Sequence, residues 1–287
     1  MQGEELLKIS YKGKDYTLKE LVEDNNQFSK LILIPDRLNK HYSSLLVSSS
    51  MDFGYIIALD KFKHLYSLLA TARFALTQAH QKLHKSPVTW SSGYLGQLWI
   101  RSQFLKNSVL WYNSCDDYFL QIIWFAFDFT DPNKLTTQAK YKRVLKDCRW
   151  ESLLKALEPK KYENEVINLL NEIDKFHNDD TVKQVKSIAN SLKHHADIYI
   201  QDLETQPDYL ITSYQGFTSA ATANKGLDID ESAILLQDMH KKVVEFASFL
   251  HVYIDFDKAF EPDEAGVINL AQRKDKATYK KFYINEY

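Results

Sequence analysis

The chain has 287 residues, enough for one large domain or for one domain with an extension. Its composition is 45% hydrophobic and 26% charged, with few glycines and prolines, which argues against a turn-rich all-β fold and for helices. A formal net charge of −2 excludes a global electrostatic drive toward nucleic acid, so any such binding has to use a local patch.

Cys115 and Cys148 are the only cysteines, too few for a zinc ligand set and unlike a disulfide-stapled scaffold. The first sixteen residues lack the apolar core of a signal peptide. The most apolar run, "YFLQIIWFAFDF" at 118–129, is too short to cross a bilayer and carries Gln121 and Asp128. A cytoplasmic, reduced protein that makes no use of the membrane is the expectation.

Residues 1–55 read as a small mixed α/β extension. "LLKISYKGKDYTL" predicts two short strands around a Lys-Gly-Lys turn, and Thr17 with Glu20 forms a capping box for a short helix through Glu23. "KLILIPD" reads as a brief strand stopped by Pro35. From about Ile56 the pattern turns helical. A long helix is predicted over 58–84, and a second from about Gly96 to Phe129 that is apolar around its whole circumference at the centre. Shorter helices are predicted near 138–157 and 161–175, separated by Pro159, and another from Thr181 to about Ala196. "DYLITSYQGF" at 208–217 predicts a strand, "SAATANKGLDID" a loop, and Asp230-Glu231-Ser232 the start of a last long helix to about Phe256. These elements imply a mainly α fold, an antiparallel up-and-down helical bundle over 56–256 with small β elements at its edge. Residues 257–287 form a basic, aromatic C-terminal tail.

The helix at 181–196 carries the most informative chemistry. At 100° per residue, Val182, Val185, Ile188, Ala189, Leu192 and Ala196 fall in one arc about 120° wide, the expected core face. Lys183, Lys186, Asn190, Lys193, His194 and Asp197 fall in a second arc, with His194 almost opposite the apolar centre and His195 at its margin. Asn190 and His194 lie one turn apart. Imidazole suits proton transfer near neutral pH, and neighbouring lysines attract phosphate. The same arrangement also describes the solvated face of an ordinary amphipathic helix.

The order of features, with "NSVLWYNSCDDYFLQIIWFAF" at 107–127 and "IANSLKHHADIY" at 188–199, resembles the HEPN superfamily (higher eukaryotes and prokaryotes nucleotide-binding) over roughly residues 56–256. The loop "SYQGFTSAA" and the final helix are similar too. The resemblance implies a homodimer whose paired signature helices form a cleft. In the family's ribonucleases, an arginine, a following polar residue and a histidine support metal-independent RNA cleavage, with the ribose 2′-hydroxyl as nucleophile. Carried onto this chain, Asn190 takes the polar position and His194 the histidine, while the arginine position holds Ala189. Lys186 and Lys193 would supply charge, but a lysine does not reproduce a bidentate guanidinium. The resemblance therefore implies either an endoribonuclease acting on single-stranded RNA or a non-catalytic scaffold for RNA, a nucleotide or a protein partner.

Three further features are weighed. Asp116 and Asp117 interrupt the most apolar helix, where they either support the signature helix, toward Lys193 or His195, or make structural ion pairs. "HQKLH" sets His80 and His84 at the spacing of two metal ligands, yet no third ligand is identifiable; the segment reads as a solvated helix end and no metal or cofactor is assigned. The tail "AQRKDKATYKKFYINEY" combines basic and aromatic side chains, which suits single-stranded RNA or docking on a protein surface.

Overall fold

The structure is a computed structural model, which describes residues 8–39, 53–84, 93–127, 129–130, 132–194, 199–201, 203, 209–222 and 226–254. It is mainly helical. The elements run β1 (Lys8–Tyr11), β2 (Lys14–Thr17), α1 (Leu18–Leu31), α2 (Phe53–His80), α3 (Tyr94–Ala126), α4 (Gln138–Asp147), α5 (Trp150–Leu157), α6 (Asn164–Asn178), α7 (Asp180–His194), β3 (Tyr209–Tyr214), β4 (Phe217–Thr222) and α8 (Ile229–Ile254). Short 3-10 turns occupy Asp36–Asn39, Pro132–Leu135 and Glu158–Lys160.

Both β pairs are antiparallel hairpins built on the same turn. Lys12-Gly13 and Gln215-Gly216 all have positive φ, the backbone that a two-residue turn needs to match the strand twist. Pairing brackets each turn, with Tyr11 opposite Lys14 and Tyr214 opposite Phe217. The second hairpin corrects the sequence expectation: the strand expected over 208–217 turns at Gln215-Gly216, and 219–222, expected as loop, belong to β4.

The predicted capping box closes α1: the Thr17 hydroxyl accepts from the Glu20 N–H, and the Glu20 carboxylate accepts from the Thr17 N–H at 2.7 Å. The helix does not stop at Glu23, however. It continues to Leu31, and the strand expected at "KLILIPD" does not form. The reason is tertiary. Phe28 stacks on His80 with ring centroids 3.9 Å apart, Asp24 pairs with His80 and Lys82, and Arg73 donates to the Ser29 carbonyl. Burial of one face holds a segment rich in Asp and Asn helical against its local preference.

The predicted helix over 138–157 is broken in two at Cys148-Arg149, where both residues are extended and the Cys148 N–H returns to the Val144 carbonyl. Asp179 separates α6 from α7. Its Oδ1 accepts from the N–H groups of Thr181 and Val182, capping α7, while its Oδ2 pairs with Lys242 at 2.9 Å. Burial opposes ionisation of Asp179, but the Lys242 hydrogen bond and the two backbone donors outweigh it and hold its pKa below the usual carboxylate value.

The chain divides into two compact units. Unit 1 draws on Met1–Leu33, Thr71–Trp111 and Lys183–His240; unit 2 on Ile34–Ala70, Tyr112–Val182 and Lys241–Tyr287. Within unit 1, Arg101 reaches the Ala79 carbonyl and Ser108 the Ala72 carbonyl, so α3 rises as α2 falls and the two are antiparallel. Within unit 2, Phe119 meets Phe246 and Phe176, Phe176 stacks on Phe246 at 4.9 Å, and the Tyr253 hydroxyl donates to the Glu165 carbonyl, which runs α6 against α8. Among the described residues no helix is long and apolar enough to cross a membrane.

Candidate functional site

Helix α7 sorts its residues as its periodicity requires. Val182, Val185 and Ala189 are buried, and Ile188 and Leu192 are partly covered. Lys183, Lys186, Asn190, Lys193 and His194 are exposed. Asn190 and His194 therefore stand one turn apart on the outward face, flanked by the ammonium groups of Lys186 and Lys193. Lys193 lies in the last turn, where a cation complements the partial negative charge of the helix end. Ala189, where the resemblance alone would place an arginine, is 0% exposed and points into the packed interior. The strip offers an amide, an imidazole and point charges, with no guanidinium among these side chains. His195 lies outside the described residues, as does the whole C-terminal tail from residue 255 on.

The acidic pair expected to support the strip is engaged within unit 2. Asp116 Oδ1 accepts from His177 Nε2 at 3.0 Å and from Trp150 Nε1 at 3.2 Å, with the Trp150 and His177 rings edge to face at 4.5 Å. Asp117 is exposed. Neither cysteine is in a disulfide; burial, then the charge of Asp117, pushes the Cys148 thiol up to about 12, and burial also raises Cys115. Both stay protonated and unreactive at neutral pH.

The HQKLH segment corrects the expectation of a solvated helix end. His80 is stacked on Phe28 and donates to Asp24 at 3.1 Å; burial and the charge of Lys82 lower its pKa to about 4. His84 is buried, bonds to the Gln78 carbonyl through Nε2 at 3.0 Å, and stacks on Phe104. Among the described residues no three His, Cys, Asp or Glu side chains are grouped to hold a metal ion.

One constellation escaped the sequence reading. Arg101 on α3 is completely buried, donating through Nε to the Ala79 carbonyl, through one terminal nitrogen to the Tyr11 hydroxyl, and through the other to Asp230 Oδ1 at 2.6 Å. Tyr11 in turn donates to Asp230 Oδ2, and Lys12 pairs with Asp228 and Asp230. Burial disfavours the charged form of Asp230, yet the charge and hydrogen bond of Arg101 outweigh it and hold the pKa at about 2. Burial lifts the Tyr11 hydroxyl to about 12. Every group already has its charge or hydrogen bond answered, so the network joins β1, α2, α3 and the start of α8 as a structural clasp. Only a polar residue within an apolar helical run marks Arg101 in the sequence.

No family model, curated protein or solved structure matches the chain.

Proposed function

We propose that this chain is a HEPN-like, RNA-directed protein that works as a cytoplasmic homodimer, and that the outward strip of α7 is its contact surface for single-stranded RNA. The observation that carries this reading is the division of α7: Asn190, Lys193, His194 and Lys186 lie outward while Ala189 is sealed inside. Two lysines provide phosphate attraction, and the amide and imidazole provide directional hydrogen bonds.

The buried alanine favours binding without turnover. Cleavage through the 2′-hydroxyl would have His194 as general acid/base and Asn190 orienting the phosphate, with Lys186 and Lys193 facing the charge that develops in the transition state. Without a guanidinium the bidentate clamp on that phosphate is missing. Incubation of highly purified protein with mixed single-stranded RNA in EDTA, beside a His194→Ala control, tests this. The expected result is intact RNA in both reactions together with retained binding by the wild type. Cleavage that disappears in His194→Ala would instead make the protein a metal-independent endoribonuclease.

A further inference from the structure

Unit 1 contains a cleft of about 580 Å³, a volume typical of small-molecule sites. Helix α1 supplies one wall. Leu18, Leu21, Val22, Asn25 and Asn26 follow one another at helical spacing, so a single face begins apolar and ends in carboxamides. The end of α2 and the residues after it supply Gln78, Gln81, Leu83 and His84, and α3 supplies Phe104.

Three properties of this lining define what it can hold. Among the described residues it has no lysine, arginine or carboxylate, and burial pushes the His84 pKa below its ordinary value, so these residues are uncharged at neutral pH. It carries four carboxamides, each offering a donor and an acceptor. One of these, Asn25 Oδ1, is buried and accepts no hydrogen bond among the described residues, a costly state that a turn of the side chain toward a ligand N–H in the cleft would relieve. Finally, a flat aromatic wall is held in place: Phe104 stacks with His84 at 5.8 Å, and His84 is locked by its N–H to Gln97 Oε1 at 2.7 Å and by the return bond from Gln97 Nε2 to its carbonyl.

We propose that this cleft is a binding site for a neutral planar heterocycle of the nucleobase class, presented as a free base or nucleoside, with Asn25 Oδ1 accepting a ring or exocyclic N–H. An apolar floor and aromatic wall take the ring, and carboxamides read its edge. A phosphate group gains nothing from these uncharged side chains. The inference is independent of the α7 strip.

Calorimetry and saturation-transfer NMR on the full chain with adenosine, guanosine, cytidine and uridine, each beside its 5′-monophosphate, test the proposal. At least one nucleoside is expected to bind with Kd below about 1 mM, its monophosphate binding no tighter. Asn25→Leu, which removes the acceptor, is expected to weaken binding about ten-fold. Val22→Arg fills the mouth from an exposed position that leaves folding undisturbed, and is expected to weaken it by a similar factor, about ten-fold. The proposal is overturned if no nucleoside binds, if the folded variants bind as the wild type does, or if a monophosphate binds much more tightly than its nucleoside. Loss of binding in Lys186→Glu with both cleft variants unaffected would also overturn it, by moving the ligand to α7.

Discussion

The two compact units combine polar and ring contacts in different proportions. In unit 1, beside the Phe28–His80 stack, polar contacts join separate elements: Arg101 with Asp230 and Tyr11, Asp24 with His80 and Lys82, and His240 Nε2 donating to the Leu33 carbonyl at 3.2 Å. In unit 2 a chain of rings does the same job, from Phe119 through Phe176 and Phe246 to Phe249 and Tyr253. Ring packing is indifferent to pH, whereas an ion pair depends on both partners being charged. The candidate strip and the carboxamide cleft both belong to the polar unit.

Substitutions sharpen this contrast. The largest expected loss is at the ring chain, where Phe246→Ala leaves a cavity beside Phe119 and Phe176 and costs about 4 kcal/mol in urea unfolding at any pH near neutrality. Arg101→Met leaves Asp230 Oδ1 and the Ala79 carbonyl without their donor and costs about 3 kcal/mol; adding Asp230→Leu recovers part of that, because the carboxylate oxygen left without its guanidinium is then gone. A ring-chain position would show no such recovery. An Arg101→Met variant as stable as the wild type would remove the clasp from the account.

Acid separates the units next. His80 and His240 both have pKa values lowered to about 4, mainly by burial. Their unfolded value is higher, so as pH falls from about 6.5 toward 4 the unfolded chain takes up protons first and stability drops through that window. The loss is on the order of 2 kcal/mol for each histidine by pH 5, while Asp230, held at about 2, stays charged and keeps its contribution until much lower pH. Imidazole NMR titrations are expected to place both histidines well below their ordinary value; midpoints near 6.5 would contradict the burial argument. A smaller effect is expected at the junction of α6 and α7, where Asp179→Ala removes a cap and the Lys242 partner at a cost of about 1 kcal/mol in the same unfolding assay.

These contacts also explain what the sequence could and could not reveal. The Thr17–Glu20 box, the two-residue turn at Lys12-Gly13, the long helices and the two faces of α7 are local patterns, set within a few turns of chain, and they were legible. The mainly helical architecture follows from them. The extension of α1 past Glu23 was not legible, since it depends on Arg73 and His80 of α2 and on Lys82 just after it. The break at Cys148-Arg149 carries no glycine or proline to mark it. Arg101 and its partners lie as much as 129 residues apart in the chain. His80 and His84 looked like a wet helix end because their lysine neighbours are polar, while the aromatic partners that bury them come from α1 and α3. At the candidate site, the strip was readable from spacing alone; the inward direction of Ala189 required a packed helix, although the predicted arc already pointed that way.

The central claim concerns the outward face of α7, and fluorescence anisotropy with a labelled single-stranded RNA tests it most directly. Wild-type protein is expected to bind with an affinity that falls as salt rises, and the Lys186→Glu/Lys193→Glu double variant to bind about ten-fold more weakly at the same stability. Equal affinity in the folded double variant, or no salt-dependent binding by the wild type, would contradict the assignment of this face to RNA.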